Sequence, residues 1–307
     1  MSVIIPCYNE EEIILDTYSR TKAVLSGMKL QDREILFIDD GSIDSTLDLL
    51  STIAQQDSIV RILSFSRNFG HQAAVSAGLH HCRGKVALIM DADLQDPPEL
   101  LPEIINTYLE QQAEVVYCVR TTRQGEGWFK KVTAKLFYRL INRLSETKFP
   151  LDTGDFRLVD RQVIEQFKKL PEKHKYLRGL ISWIGFKQVP FYYEREERGK
   201  GSTKYPISKM IRFALTGLTY FSRKPLNISI GAGFLCILIG LFLTVYTFIA
   251  KFSDTIQTVP GWSSLLIAVI FFGGIQLFTI GIIGIYLGNV FEEIKGRPEY
   301  IISRVIN

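Results

Sequence analysis

Short apolar runs punctuate the first 119 residues at Val3–Pro6, Glu34–Ile38, Val60–Phe65, Val86–Met90 and Glu114–Cys118. Between them, Glu10–Met28, Ser45–Gln55, Gly70–His81 and Glu99–Gln111 have helical length and helical spacing of apolar positions. The repeated strand-helix order predicts an α/β fold with a doubly wound, mainly parallel sheet. Ligands in such sheets bind beyond the carboxyl ends of the strands. Polar clusters fall at those ends: Tyr8-Asn9-Glu10 after the first strand, Asp39–Ser42 after the second, Asp91–Asp96 after the fourth.

The pattern changes twice further on. Trp128–Leu144 reads as a helix carrying Lys130, Lys131, Lys135, Arg139 and Arg143 but no acid, and Ile207–Ser222 is a second amphipathic segment. Basic amphipathic helices of this kind lie in a membrane interface or present a solvated face to water. Then Leu226–Ala250 and Thr255–Phe291 run for 25 and 37 residues without a charge. Each exceeds the ~20 residues an α-helix needs to cross a bilayer core. Two transmembrane helices are expected, near Ser229–Ala250 and Leu265–Val290, joined by the polar link Lys251–Trp262. The tail Glu299–Ile306 alternates weakly and reads either as a frayed terminus, the preferred reading, or as a strand offered to another subunit.

Charge sharpens this division. The net of +4 over 307 residues separates into −10 for residues 1–119, +14 for 120–224 and zero for 225–307. Basic residues flank the apolar spans at Arg223, Lys224, Lys295, Arg297 and Arg304, and the link holds only Lys251. The rule that cytoplasmic flanks are positive therefore places both termini and the soluble part in the cytoplasm. The chain opens on a strand-like run, so no signal peptide is expected. Four cysteines without C-x-x-C spacing read as reduced thiols.

Chemistry concentrates in a few places. Asp91-Ala92-Asp93-Leu94-Gln95-Asp96 follows an apolar strand, and carboxylates at alternate positions there suit Mg²⁺ or Mn²⁺ bridging to a diphosphate. Asp96, before Pro97-Pro98, also suits a helix cap. Asp39-Asp40-Gly41-Ser42 suits a ribose or base contact or a turn, with Asp44 or Ser45 to cap the next helix. Asp152–Arg157 sets carboxylates beside a glycine and an arginine, and Arg195–Tyr205 offers cations, glycines and hydroxyls for a phosphate loop. There is no G-x-G-x-x-G and no P-loop motif. None of the four histidines is assigned a role.

Six segments taken together resemble the GT-A glycosyltransferases of family 2, in the polyprenyl-phosphate glycosyltransferase branch of bactoprenol glucosyltransferases and dolichol-phosphate mannose synthases. They are Ser2-Val-Ile-Ile-Pro-Cys-Tyr-Asn-Glu-Glu11, Ile38–Thr46, Arg67-Asn-Phe-Gly70, Asp91–Pro98, Thr153-Gly-Asp-Phe-Arg157 and Arg198–Tyr205. The resemblance implies one GT-A domain made of a nucleotide-sugar half (1–119) and an acceptor half (120–224). Two transmembrane helices (225–291) and a cytoplasmic tail (292–307) would follow.

The same resemblance implies that Pro6, Tyr8, Glu10, Asp40 and Asp91 contact the nucleotide. Asp93 and Gln95 would hold the metal. Asp155 would be the acceptor-side base with Arg157 beside it, and Arg198, Lys200, Thr203 and Lys204 would engage phosphates. The departure is Gly201-Ser202-Thr203-Lys204-Tyr205, where relatives often read Gly-x-Ser-Lys-Tyr, so that Thr203 stands at the serine.

The implied reaction is inverting transfer of a hexose, best UDP-glucose, to polyprenyl phosphate, with GDP-mannose as the alternative donor. The partners are a nucleotide sugar, a polyprenyl phosphate, membrane lipids, no nucleic acid, and a homo-oligomer through the tail. A processive polysaccharide synthase would need more spans and a Q-x-x-R-W motif, which is absent. A membrane-anchored nucleotide-sugar sensor would not need the filled set of metal and phosphate residues.

Overall fold

The computed structural model describes residues 1–121, 153–172, 177–194, 224–252 and 261–307. Eight strands form one sheet: β1 (Ser2–Cys7), β2 (Glu34–Asp39), β3 (Val60–Phe65), β4 (Val86–Ile89), β5 (Val115–Arg120), β6 (Thr153–Asp160), β7 (Gln188–Tyr193) and β8 (Ile302–Ile306). Their order is β7-β5-β6-β4-β1-β2-β3-β8. The helices between them are α1 (Ile14–Gly27), α2 (Thr46–Gln56), α3 (His71–His81), α4 (Leu101–Gln111), α5 (Arg161–Lys168) and α6 (Leu177–Ile184). Two long helices, α7 (Lys224–Phe252) and α8 (Trp262–Ile294), form a second compact unit.

Strands β4, β1, β2 and β3 run parallel and are buried along almost their whole length. That burial is why they read as continuous apolar runs. Side chains alternate across the pleat. Val3, Ile5 and Cys7 pack with Ile14 and Leu25 of α1, Leu50 and Ile53 of α2 and Leu101 and Ile104 of α4. Ile4 turns the other way, onto α3, where Gly78 approaches so closely that a Cβ there would stand 2.2 Å from Ile4 Cγ2.

The sheet is mixed but mainly parallel, with β6 and β8 running against the other six strands. β5 does not continue the parallel run beside β4, because β6 inserts between them antiparallel to both. β7 then adds parallel to β5. The insertion has a consequence for position. Arg157 of β6 lies opposite Ile89 at the end of β4, so the start of β6 lies at the same carboxyl edge as the ends of the parallel strands.

The tail is not frayed: it is the strand that was the second expectation, but its partner is its own chain rather than another subunit. Ile302–Ile306 is a strand, and it pairs antiparallel with β3 of its own chain. Tyr300 stacks on Phe65 with ring centroids 5.0 Å apart, and Glu299 accepts a hydrogen bond from Ser76 of α3 at 2.8 Å. Asn307 donates to the carbonyls of Ala54 and Val60, and its own carbonyl accepts from Arg61. Arg61 is in turn paired with buried Glu34.

Helices α7 and α8 occupy the two charge-poor segments and expose apolar side chains such as Phe234, Phe242, Leu277 and Leu287. Among the described residues one stretch, Phe271–Ile294, is long and apolar enough to cross a membrane. The described apolar stretch of α7, Ser229–Phe242, is shorter than a span. The expected pair of crossings is thus met by one segment. The expected interfacial helices Trp128–Leu144 and Ile207–Ser222 lie outside the described residues.

Candidate active site

The carboxyl edge of the sheet is laced together loop to loop. Asn9, with φ of 56°, receives Ile43 N–H on its Oδ1 at 2.9 Å, and its own N–H donates to Ser42 Oγ at 3.0 Å. Glu10 N–H donates to Thr46 Oγ1, and Glu11 Oε2 accepts from Ser45 N–H. Asp44, rather than Ser45, receives Thr46 N–H at the start of α2. These bonds tie the β1 and β2 loops into one rim. Pro6 is buried within β1, Glu10 is half-buried, and Tyr8 stands out from the rim, 41% exposed.

Adjacent Asp39 and Asp40 are both buried, and their partners explain how two carboxylates share one strand end. Asp39 accepts from Ser42 N–H and Ser64 Oγ–H. Asp40 accepts Phe69 N–H at 2.7 Å and Gly70 N–H at 2.9 Å, which clamps the loop entering α3. Burial raises the Asp40 pKa, although those two N–H groups pull it down. Gly41, with φ of 70°, lies beneath that loop, where a Cβ would meet the Arg67 backbone carbonyl carbon at 2.5 Å.

Beyond β4, Asp91 and Asp93 are half-exposed and Gln95 is buried. Asp93 Oδ1 accepts Gln95 N–H at 3.2 Å. Asp96 does not cap the following helix. It is fully buried, accepts from the Tyr193 hydroxyl, and pairs with Arg120 at 3.4 Å. These partners come from the ends of β7 and β5. Asp96 therefore fastens the two halves of the sheet at this edge.

Asp155, near the start of β6, is held from three sides. Its Oδ2 accepts from His71 Nε2 and Gln72 Nε2, each at 3.1 Å, and its Oδ1 accepts from Arg178 Nε at 2.8 Å. Arg157, also buried, has its guanidinium 4.0 Å from Oδ1 and donates to Gly154 O. Burial pushes the Asp155 pKa up, but Arg178 and His71 outweigh it and hold the carboxyl well below the usual range. A carboxylate so held is a poor proton acceptor.

His71 Nε2 also lies 3.7 Å from Asp91 Oδ1 and so links the two carboxylate groups. Burial opposes its charge, yet the bond to Asp155 and the charges of Asp91 and Asp155 prevail and lift its pKa to about 9. Asp91 is pushed up to about 6 by burial and by Asp155, Asp96 and Asp93, with His71 acting against them.

The structure therefore brings Asp40, Asp91, Asp93, Gln95, Asp155 and Arg157 to one edge, with Tyr8 and Glu10 on the rim. Arg198, Lys200, Thr203 and Lys204 lie outside the described residues. His71, Gln72 and Arg178 were not foreseen. A histidine opening a helix after Gly70 carries no distinguishing pattern, and nothing in the sequence places Arg178 across from it.

Among the described residues no three His, Cys, Asp or Glu side chains converge as a metal cage. Mg²⁺ and its relatives bind through one or two carboxylates plus substrate phosphates. Surplus negative charge around Asp91 and the oxygen donors of Asp93 and Gln95 fit that mode.

Comparison with known proteins extends over the same residues. The family model described as Glycosyl transferase family 2 matches residues 2–167. The chain is similar to an uncharacterized glycosyltransferase, YkcC, of Bacillus subtilis (strain 168), at 45% identity over 99% of this chain and 93% of that one. It is 39% identical to the prophage bactoprenol glucosyl transferase homolog of Escherichia coli (strain K12), covering 99% of each. Identity to the SfII prophage-derived bactoprenol glucosyl transferase of Shigella flexneri is 38%, over 99% of this chain and 97% of that one.

Proposed function

The chain belongs to glycosyl transferase family 2, and within it we propose a membrane-bound enzyme that moves a hexose from a nucleotide-diphosphate sugar to polyprenyl phosphate. The observation that carries the acceptor is near full-length similarity to proteins named bactoprenol glucosyl transferase. An acceptor of that kind is held in the bilayer, which suits anchoring through Phe271–Ile294 and a second crossing through α7, with the catalytic unit and both termini cytoplasmic. UDP-glucose is the proposed donor.

The acceptor phosphate oxygen attacks the anomeric carbon as the bond from that carbon to the donor diphosphate breaks, with inversion. A phosphate monoester has a second pKa of about 6, so the attacking oxygen is already ionised at neutral pH. No strong base is required, and Asp155 acts as an anchor that positions His71, Gln72 and Arg178. Pro6, Tyr8, Glu10, Asp40 and Asp91 form the nucleotide side. Asp93 and Gln95 would hold Mg²⁺ or Mn²⁺, which when bound supplies charge stabilisation for the departing diphosphate. Arg157, Arg198, Lys200, Thr203 and Lys204 supply further donors to phosphate oxygens.

Membranes holding the protein, incubated with a panel of labelled nucleotide sugars and one polyprenyl phosphate, test this. Organic-extractable label released by mild acid, greatest with UDP-glucose, is the expected result. Preference for GDP-mannose would replace the donor, polymer would indicate a processive synthase, and no transfer would refute the enzyme reading.

A further inference from the structure

The mechanism above gives His71 a neighbour but no task of its own. His71 is the first residue of α3, where the helix macrodipole works against a positive charge. The fold nevertheless surrounds its Nε2 with two carboxylates from different strand ends, Asp155 at 3.1 Å and Asp91 at 3.7 Å. Two anions at one ring nitrogen make Nε2 a donor and keep the imidazole in its cationic form. Arg178 occupies the opposite oxygen of Asp155, so the carboxylate serves both cations without exchanging one for the other.

A ring held at one nitrogen has its orientation set, and the other nitrogen becomes the working one. Nδ1 of His71 has no hydrogen-bond partner among the described residues, and its side chain is 41% exposed. With Nε2–H turned to Asp155 and Asp91, Nδ1–H is the ring's remaining donor, on a residue at the carboxyl edge where the proposed reaction brings its phosphates.

We infer that His71 is a further catalytic residue, whose Nδ1–H donates to a phosphoryl oxygen bound in the crevice. No bond to His71 is made or broken. The inference rests on the transfer reaction proposed above. Acceptor monophosphate and donor diphosphate present the same oxygen chemistry, and two measurements separate them.

The variants are His71→Gln, which keeps a hydrogen-bonding side chain without charge, and His71→Lys, which restores the cation. For each, the KM for polyprenyl phosphate and the Kd for UDP with Mn²⁺ are measured in the full-length protein, together with its melting temperature. A charge-assisted hydrogen bond lost from an anion gives an about tenfold or larger effect. His71→Gln should raise one of the two constants by that factor, with His71→Lys recovering most of it. A rise in KM alone assigns the acceptor phosphate, and a rise in Kd alone assigns the donor diphosphate.

Constants and kcat within twofold of wild type would overturn the inference. So would equal loss in both variants accompanied by a lower melting temperature, which would mark His71 as structural only. If wild-type protein transfers no sugar to lipid phosphate, the reaction reading fails by itself. The UDP arm then decides His71, with an unchanged Kd overturning it.

Discussion

Replacing Asp155 by Asn separates an anchoring carboxylate from a base. The carboxylate accepts three hydrogen bonds at 2.8–3.1 Å, two on Oδ2 and one on Oδ1. Asn keeps a single oxygen, so its NH₂ must face either Arg178 Nε or the His71–Gln72 pair, donor against donor. Losing a charged hydrogen bond costs about 1.5–3 kcal/mol, and leaving a buried cation unpaired costs about 3–5 kcal/mol. Arg178 and His71 are partly exposed, at 28% and 41%, so water recovers some of that. A net effect of about 2–3 kcal/mol corresponds to a roughly 30- to 160-fold loss in kcat/KM at 1.36 kcal/mol per decade. The same disturbance lowers the melting temperature by about 4–10 °C. The assay is transfer of labelled sugar to polyprenyl phosphate in liposomes, run beside a thermal melt. An anchor loses acceptor affinity and stability together, whereas a base loses kcat alone. A variant with unchanged acceptor KM and a melting temperature within 1 °C of wild type would refute the anchoring role.

Gly78→Ala drives a Cβ into Ile4 of β1, and overpacking of this kind should cost about 1–3 kcal/mol, read as a drop in denaturation midpoint with the m-value unchanged. The raised pKa of His71 means its contribution to stability is fully present below about pH 6.5 and is lost as pH rises through about 9. The melting-temperature gap between wild type and His71→Ala should therefore shrink between those values, and a gap that is flat with pH would contradict the pairing with Asp155 and Asp91. Deleting Ile302–Asn307 uncovers the β3 edge and should lower the melting temperature by about 4–8 °C, equivalent to about 2 kcal/mol, with aggregation that light scattering would detect.

The first four strands and helices were legible because their apolar periods reflect burial on both faces of the sheet. Ser2–Cys7, Glu34–Asp39 and His71–His81 differ from their expected bounds by no more than one residue at either end. The antiparallel insertion of β6 was not legible. Strand pattern reports burial and not direction, and the partner of a strand is set by contacts far away in sequence. The tail shows the same limit, since its weak alternation could not name β3 as its neighbour. Asp91, Asp93 and Asp155 were visible as carboxylates at turns. The joining of Asp91 to Asp155 through His71 was not, because that depends on the start of β6 meeting the start of α3.

The pairing of β3 with β8 also orders events during synthesis. Arg61 and Asn307, which meet at this edge, are 246 positions apart. At about 5–20 residues per second, roughly 12–50 s separate translation of the two. Through that interval β3 presents an unpaired edge on the ribosome-bound chain, and the apolar helix α8 is made before the strand that closes it. Completion of the sheet therefore reports that the apolar segments have already been produced. A ribosome that stalls within them leaves a chain whose open edge is a substrate for chaperones and proteases.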